Sequence, residues 1–228
     1  FVDGFPESAA AQEFWDWSPA KTKKMVCQSS ALSSDKVGEL PLRHFPVDHS
    51  VFGANAYAVC TSQGWIAYSG DLRLHGSHGW HTEKSVNEIH ALKPFIYIGE
   101  GTRAGDTSQT SEEEVYENAL RATRRHSGKL VIADFGPRNI ERLLTFYRIA
   151  QDTQRQLVVL ARDAYLLEKM SLASGLVAPL GKLPDVLIYE DRRHRRDRWE
   201  QGIWEGFPDR KVTAAQIGGA PGDYILCF

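Results

Sequence analysis

The sequence predicts an α/β protein in two parts, a β-rich part over residues 1–105 and a parallel α/β part over residues 106–228. Two observations carry this prediction. Up to about residue 105 the apolar segments are short, rich in β-branched and aromatic residues, and separated by Gly, Pro, Asn and Ser. From about Asp106 onward, apolar runs typical of buried strands alternate with amphipathic helical segments, which is the pattern of a parallel sheet.

In the first part, each short apolar segment is expected to form a strand. The predicted strands cover residues 42–47, 55–61, 64–69 and 94–99. A turn at Gln63 and Gly64 joins the second of these strands to the third. A hairpin is therefore expected in the middle of this part of the chain.

The second part begins with a helix, indicated by the capping-box pattern from Ser111 to Glu114 and by Val115, Ala119 and Ala122, which share one helical face. Strands and helices then alternate. The predicted strands cover residues 129–135, 156–161 and 185–190, and the predicted helices cover residues 138–151 and 163–173. The last apolar run, residues 223–228, is expected to be a strand that the chain end cuts.

Composition limits the classes of partner. The chain has 42% hydrophobic and 25% charged residues and a formal charge of −2, so any contact with nucleic acid must be local. No apolar run approaches the roughly 18 residues of a membrane span, and no membrane partner is predicted. The three cysteines, Cys27, Cys60 and Cys227, lie far apart in the sequence, which favours a reducing, cytoplasmic setting without disulfides.

Two residues are candidate metal ligands because each follows an apolar, strand-like run. His49 follows the first predicted strand, and Asp71 follows the strand after the turn. Imidazole is a common ligand of transition metals, and a carboxylate can bridge two cations. The alternative is a hydrogen-bonded loop histidine and a turn aspartate, and residue types alone favour it.

Three strings around these residues resemble a known family. Asp48-His49-Ser50 with Gly53 resembles the third motif of the metallo-β-lactamase superfamily, in its beta-CASP branch of nucleic-acid hydrolases. Ser69-Gly70-Asp71, followed by Arg73 and His75-Gly76, resembles the fourth motif, and Glu100-Gly101-Thr102 resembles the acidic motif of that branch. The resemblance implies part of an αββα core followed by a beta-CASP-like α/β domain.

The resemblance also implies roles for these residues. His49 would bind one metal ion, Asp71 would bridge two, and Glu100 would orient the catalytic centre without binding metal. His75 would contact the substrate or order a loop near the site entrance. In the family, the two metal ions, expected to be zinc, support hydrolysis of phosphodiester bonds, with RNA or single-stranded nucleic acid as the partner.

The chain also departs from the family pattern. The His-x-His-x-Asp-His loop, which supplies most metal ligands in the family, is absent, as are the two later histidine motifs. We therefore expect an interior fragment whose remaining ligands lie in the missing part of the same polypeptide. Two ligands fall short of the three or four that hold zinc, so zinc binding is expected to be weak or absent in this chain. The state of association is left open.

Two other strings have rival interpretations. Gly99, Gly101 and Gly105 follow a strand in the manner of a phosphate-binding turn, but their spacing differs from the dinucleotide motif and no Walker lysine follows. Glu100 would then be an ordinary surface residue of that loop. His75, His78 and His81 stand three apart, but the glycines between them oppose a helix, which favours a solvated loop over a metal site.

One basic run is a candidate nucleic-acid interface. Arginine neutralises phosphates and stacks on bases, and tryptophan offers a stacking surface. The run contains Arg192, Arg193, Arg195, Arg196 and Trp199, with Trp204 nearby. A solvated helix face paired with local acids is an equal alternative.

The sequence thus predicts a segment of a metal-dependent hydrolase, a nuclease that acts on RNA, with catalytic residues Asp71, Glu100 and His75. The rival is a non-catalytic α/β module that binds nucleic acid or protein and has lost its metal site. A Ser-His-Asp hydrolase lacks support, because no Gly-x-Ser-x-Gly string occurs.

Overall fold

The computed structural model describes residues 35–102, 105, 110–136, 138–173, 177–191 and 197–228. The chain divides into two compact units, Phe1–Ser111 and Glu112–Phe228. The boundary predicted from the sequence was after residue 105. Both units combine helices with a sheet, so the general α/β class is confirmed.

The first unit contains a five-stranded sheet in the order β1-β2-β3-β4-β5. Neighbouring strands are antiparallel from β1 to β4, and β5 runs parallel to β4. The strands are β1 (Lys36–Val37), β2 (Leu40–Pro46), β3 (Asn55–Thr61), β4 (Gly64–Tyr68) and β5 (Ile96–Ile98). All four strands predicted in this part are present, and β3 and β4 form the predicted hairpin.

A helix that the sequence analysis did not predict, α1 (Gly79–Ala91), contacts β2 of this sheet. Its buried face contains only one apolar side chain, Ile89, because the other buried positions are Gly79, Thr82 and Ser85. The Thr82 hydroxyl donates to the Arg73 carbonyl at 2.8 Å, and the Ser85 hydroxyl donates to the Pro46 carbonyl. These bonds satisfy the buried hydroxyls, as burial requires.

The strand register of the first unit brings three loops to one edge of the sheet. Pro46 at the end of β2 pairs with Asn55 at the start of β3, and Tyr68 at the end of β4 pairs with Ile98 at the end of β5. The β2–β3 loop, the β4–α1 loop and the segment after β5 therefore start from the same edge, which we call the loop edge. A core made mainly of small and β-branched side chains supports it: Phe45, Val47, Ala56, Ala58, Ala67 and Ile89.

The second unit contains five parallel strands in the order β6-β10-β7-β8-β9, as the alternation of strands and helices predicted. The strands are β6 (Val131–Ala133), β7 (Gln156–Val159), β8 (Val186–Tyr189), β9 (Lys211–Val212) and β10 (Tyr224–Cys227). The helices are α2 (Glu112–Arg125), α3 (Ile140–Asp152), α4 (Ala161–Ala173), α5 (Arg198–Gly206) and α6 (Ala214–Gly219).

The last strand, β10, lies inside the second sheet between β6 and β7, although it is the last element of the chain. Ile225 is fully buried and Cys227 almost so, which explains the apolar run near the chain end. In the part of the chain that the structure describes, no helix is both long enough and apolar enough to cross a membrane.

Candidate active-site loops

A buried ion pair joins two of the three loops at the loop edge. The guanidinium of Arg73, in the β4–α1 loop, binds the Asp48 carboxylate, in the β2–β3 loop, through Nε at 3.1 Å and Nη2 at 3.2 Å. The Asp48 side chain is 1% exposed and that of Arg73 is 11% exposed. The Arg73 backbone N–H also donates to the Asp48 carbonyl at 2.8 Å. Two parallel hydrogen bonds between a guanidinium and a carboxylate fix the relative orientation of the two groups as well as their separation.

Helix α1 holds the same pair in place. The backbone N–H of Asp48 donates to the Thr82 hydroxyl at 2.8 Å, and that hydroxyl donates to the Arg73 carbonyl. Gly76 packs directly on the pair: a Cβ atom there would lie 2.5 Å from Arg73 Nη2 and closer still to Asp48 Oδ2. Any larger residue at position 76 would therefore displace the side chains of the ion pair.

Ser69 and Glu100 join the third loop to the second. The Ser69 hydroxyl accepts from the Glu100 N–H at 2.9 Å, and the Glu100 carboxylate accepts from the Leu72 N–H at 2.8 Å. Gly70 has a φ of +60°, and a Cβ there would lie 2.8 Å from the Asn55 carbonyl oxygen. Asp71 is thus flanked by a glycine in a left-handed conformation and by a backbone amide that Glu100 binds.

The two predicted metal ligands both lie in loops at the loop edge. His49 is half-buried in the β2–β3 loop, and Asp71 is exposed in the β4–α1 loop. Neither side chain has a hydrogen bond or ion pair with another described residue. Among the described residues, however, no group of three or more His, Cys, Asp or Glu side chains could hold a metal ion. These residues alone do not complete a metal site.

The prediction of a solvated loop across His75, His78 and His81 is wrong in part. Helix α1 begins at Gly79 and includes His81, because the missing side chain of Gly79 lets its backbone approach the Leu74 carbonyl. The glycine that was expected to oppose the helix therefore allows its start.

The side chains of this segment form a column of rings. The His81 ring stacks on Trp80 at 3.7 Å and on His78 at 6.1 Å, and the edge of Phe52 meets His78 at 5.7 Å. Trp80 ends the column and is 55% exposed. Burial, then His78 and Lys84, lower the pKa of His81 below its usual value, and Asp48 opposes them only weakly. His81 is therefore an uncharged ring at neutral pH.

His75 precedes this column and is half-buried. Its Nδ1 atom is buried and has no hydrogen-bond partner among the described residues. A buried polar atom without a partner is uncommon in native proteins. The Nδ1 atom of His75, next in the chain to Gly76, is thus buried without a hydrogen bond to any described residue.

The first unit contains an open pocket of about 490 Å³. Ser69 and Leu72 line it from the loops, while Ser85, Val86 and Ile89 line it from α1 and Tyr97 from β5. Most of its lining is apolar.

The predicted nucleic-acid interface falls largely outside the described residues, which do not include Arg192, Arg193, Arg195 and Arg196. Trp199 lies in the first turn of α5, half-buried, with its ring edge-on to Tyr165 at 5.4 Å. Trp204 is buried, and its indole N–H donates to Glu200 at 3.4 Å. The suggestion that Trp204 offers a stacking surface is therefore wrong.

Asp48, Ser69 and Arg73 belong to the sequence motifs, but the sequence predicted no role for them. In the structure these three residues tie the loops together. One signal was available: Asp48 directly follows a predicted strand and Ser69 ends another, and a polar side chain that is buried at a strand end must find a hydrogen-bond partner.

The fold and loops define an α/β protein whose first unit holds three interlinked loops at one sheet edge. No protein-family model and no curated protein matches the chain. A solved structure does, a crystal structure of a protein of unknown function from Enterococcus faecalis V583, with a TM-score of 0.63 and 20% identity. The match covers 96% of this chain and 50% of that one, so the chain spans about half its length. At this identity the likeness concerns the fold alone.

Proposed function

We propose that this chain carries the loop framework of a metal-dependent hydrolase that cleaves RNA phosphodiester bonds. His49 and Asp71 are metal ligands in this proposal, Glu100 positions the Asp71 loop, and His75 contacts the substrate. The observation that supports it is the meeting of three motif-bearing loops at one sheet edge, joined by side chains from the motifs themselves.

Glu100 is a positioning residue in this proposal. Its carboxylate binds the backbone N–H of Leu72, the residue after Asp71, so it sets the direction of the segment that carries the predicted bridging carboxylate. Groups that hold a ligand's backbone or ring in place commonly affect metal affinity by about 10–100-fold. Asp48 and Arg73 fix the other side of the same loop.

The described residues supply only two predicted ligands, fewer than the three or four of an ordinary zinc site. The remaining donors, in this proposal, come from polypeptide other than the described residues. A bound metal pair would supply charge stabilisation and water activation for phosphodiester hydrolysis. The chain's own residues position the loops, and His75, half-buried in the β4–α1 loop, is the proposed substrate contact.

RNA is the proposed substrate partly because of the ring column beside the loops. Trp80 is exposed and is supported from behind by His81 at 3.7 Å. Aromatic faces of this kind stack on bases of single strands and contribute about 1–3 kcal/mol per base.

Zinc binding by the chain tests the ligand assignment. Weak binding with low stoichiometry is expected, and His49→Ala and Asp71→Asn should each lower the affinity by about tenfold or more. Asp35→Asn, at an exposed position of the same unit, is the matched control and should leave affinity unchanged. Titration calorimetry with elemental analysis measures both quantities. Two zinc ions retained through dialysis against a chelator would show that other residues form the site.

In the natural full-length protein, Asp71→Asn is expected to abolish RNA hydrolysis. Because Asp71 is exposed, its replacement should change the free energy of unfolding by no more than about 0.5 kcal/mol. Gel assays of labelled RNA and urea unfolding of the same preparations measure the two effects. Hydrolysis near the wild-type rate with unchanged metal content contradicts the assignment.

A non-catalytic module that binds nucleic acid or protein is the second candidate. The lack of any metal-competent group of three side chains among the described residues favours it. One set of results separates the two candidates. The non-catalytic module binds RNA but does not hydrolyse it, and zinc changes RNA binding equally in Asp71→Asn and in wild type.

A further inference from the structure

The end of helix α2 presents a cluster of exposed cations. Arg121, Arg124 and Arg125 lie at positions i, i+3 and i+4, so they project from one side of the helix. They line a shallow groove of about 460 Å³ together with Leu120 and Glu117. Lys129, also exposed, follows the helix. We call Arg121, Arg124, Arg125 and Lys129 the basic surface.

The acids at the start of the same helix are already engaged elsewhere. Glu112 accepts from Arg142 Nε at 2.7 Å and Nη2 at 3.0 Å, and Glu113 accepts from Arg148 at 3.0 Å. Both arginines belong to α3. Glu117 therefore remains as the one carboxylate that lines the groove, against three guanidinium groups. None of the four cations of the basic surface forms an ion pair with another described residue.

Cations at a helix C-terminus often serve to bind its last carbonyl groups. Here a different residue does this. Arg155, only 6% exposed, donates to the carbonyls of His126 at 3.1 Å and Lys129 at 2.8 Å, and reaches that of Thr123 at 3.5 Å. The buried Arg155 thus binds the carbonyl groups at the end of α2, and the exposed arginines are not required for this purpose.

We propose that the basic surface binds the phosphate backbone of single-stranded RNA. This inference rests on the proposed function, which makes RNA the substrate. The planar guanidinium group binds phosphate through two parallel hydrogen bonds, and three such groups stand on one helix face. Leu120 provides the groove with an apolar wall against which a base or ribose can pack. The overall charge of −2 confines the attraction to this local surface.

Binding of a fluorescent, unstructured single-stranded RNA, measured by anisotropy over a salt series in EDTA, tests the inference. The triple variant Arg121→Gln/Arg124→Gln/Arg125→Gln should bind at least about tenfold more weakly near 0.1 M salt. Its slope of log affinity against log salt should fall by about 2, since each phosphate contact on a single strand contributes about 0.7. The corresponding triple lysine variant, which keeps the charge, should retain most of the slope.

Arg138→Gln/Lys182→Gln/Lys211→Gln is the matched control, because it removes three exposed cations from the same unit at positions outside the basic surface and outside the basic run that ends at Trp199. It should leave the slope within about 0.5 of wild type if phosphate contacts are local. The inference is overturned if the triple glutamine variant of α2, called the α2 variant, keeps the wild-type slope or if the control loses as much slope as the α2 variant. It is also overturned if the wild type does not bind RNA. The same holds if polyglutamate or anionic vesicles bind as tightly as RNA and lose affinity equally in the α2 variant.

Since EDTA removes metal and no turnover is needed, this test is separate from that of the proposed function. Hydrolysis by the full-length protein with an unchanged salt slope refutes only the role of the basic surface. Salt-dependent binding lost in the α2 variant, without hydrolysis, refutes only the proposed catalytic activity.

Discussion

Replacing Asp48 by Ala is expected to lower the free energy of unfolding of the first unit by about 3–5 kcal/mol. The Asp48 carboxylate is 1% exposed and accepts from Nε and Nη2 of an Arg73 side chain that is itself 11% exposed. Removing the Asp48 carboxylate takes the bidentate partner away from a guanidinium that stays largely buried, and that is costly. The loss also frees the two loops from each other.

Hydrogen–deuterium exchange followed by mass spectrometry measures this effect in the first unit alone. Exchange should accelerate in peptides that cover residues 47–54 and 69–79, while peptides of β6–β10 in the second unit should exchange as in wild type. Urea unfolding gives the corresponding free energy. Lys84→Gln, which removes an exposed pair with Glu88, is the control and should cost no more than about 0.5 kcal/mol. An Asp48→Ala protein with unchanged exchange in both loops shows that the pair does not hold them.

The strands could be predicted from the sequence because the two sheets contain short, apolar, β-branched runs between turn residues. The second sheet adds a regular alternation with helices, and its five parallel strands follow from that pattern. Their order could not be predicted. That β10 enters between β6 and β7 depends on contacts across roughly 70–90 residues of chain, which no local pattern encodes.

Helix α1 escaped prediction because its buried face is polar. A helical period is recognised by apolar residues three and four apart, but two of the inward positions here are Thr82 and Ser85. Their hydroxyl groups are buried because the carbonyls of Arg73 and Pro46 accept from them. Those partners come from other segments of the chain, so the sequence of α1 alone could not reveal that these positions face inward.

The candidate site shows a similar division. The positions of His49, Asp71 and Glu100 at strand ends could be inferred from the sequence, since each follows an apolar run. The bonds that organise them could not. The Asp48–Arg73 and Ser69–Glu100 links join loops through tertiary register, and the start of α1 at Gly79 depends on how closely its backbone approaches Leu74.

The second large effect concerns Asp163, a buried acid in the first turn of α4. Burial raises the pKa of Asp163 from its ordinary 3.8 to about 6, and the charge of Arg162 and the hydrogen bond from the Leu160 N–H oppose this only partly. The carboxylate lies 3.2 Å from the Leu160 nitrogen, and Arg162 is 3.8 Å away but half-exposed. The charge of Asp163 also contributes to a raised pKa of the buried Cys227 thiol.

The direction of the pH effect follows from the two pKa values of Asp163. Between about pH 4 and pH 6 the folded protein holds a proton on this carboxyl group that the unfolded chain has lost. Stability from this group is therefore greatest at the acid end of the window and falls as pH rises, levelling above about pH 6. A shift of roughly two units corresponds to about 3 kcal/mol at about 1.4 kcal/mol per unit.

Asp163→Asn should remove this dependence, because the amide does not titrate and its oxygen can still accept from Leu160. The difference in unfolding free energy between the variant and wild type should move in favour of the variant by about 2 kcal/mol between pH 4 and pH 7, since part of the effect of about 3 kcal/mol falls below pH 4. Urea unfolding at several pH values measures it, and taking the difference cancels every other titrating group. Asp209→Asn, which removes an exposed carboxylate of the same unit, should stay parallel to wild type. If the Asp163→Asn curve is also parallel to wild type across this range, burial does not hold the Asp163 proton, and the acid is ionised in the folded protein at pH 5 as it is in the unfolded chain.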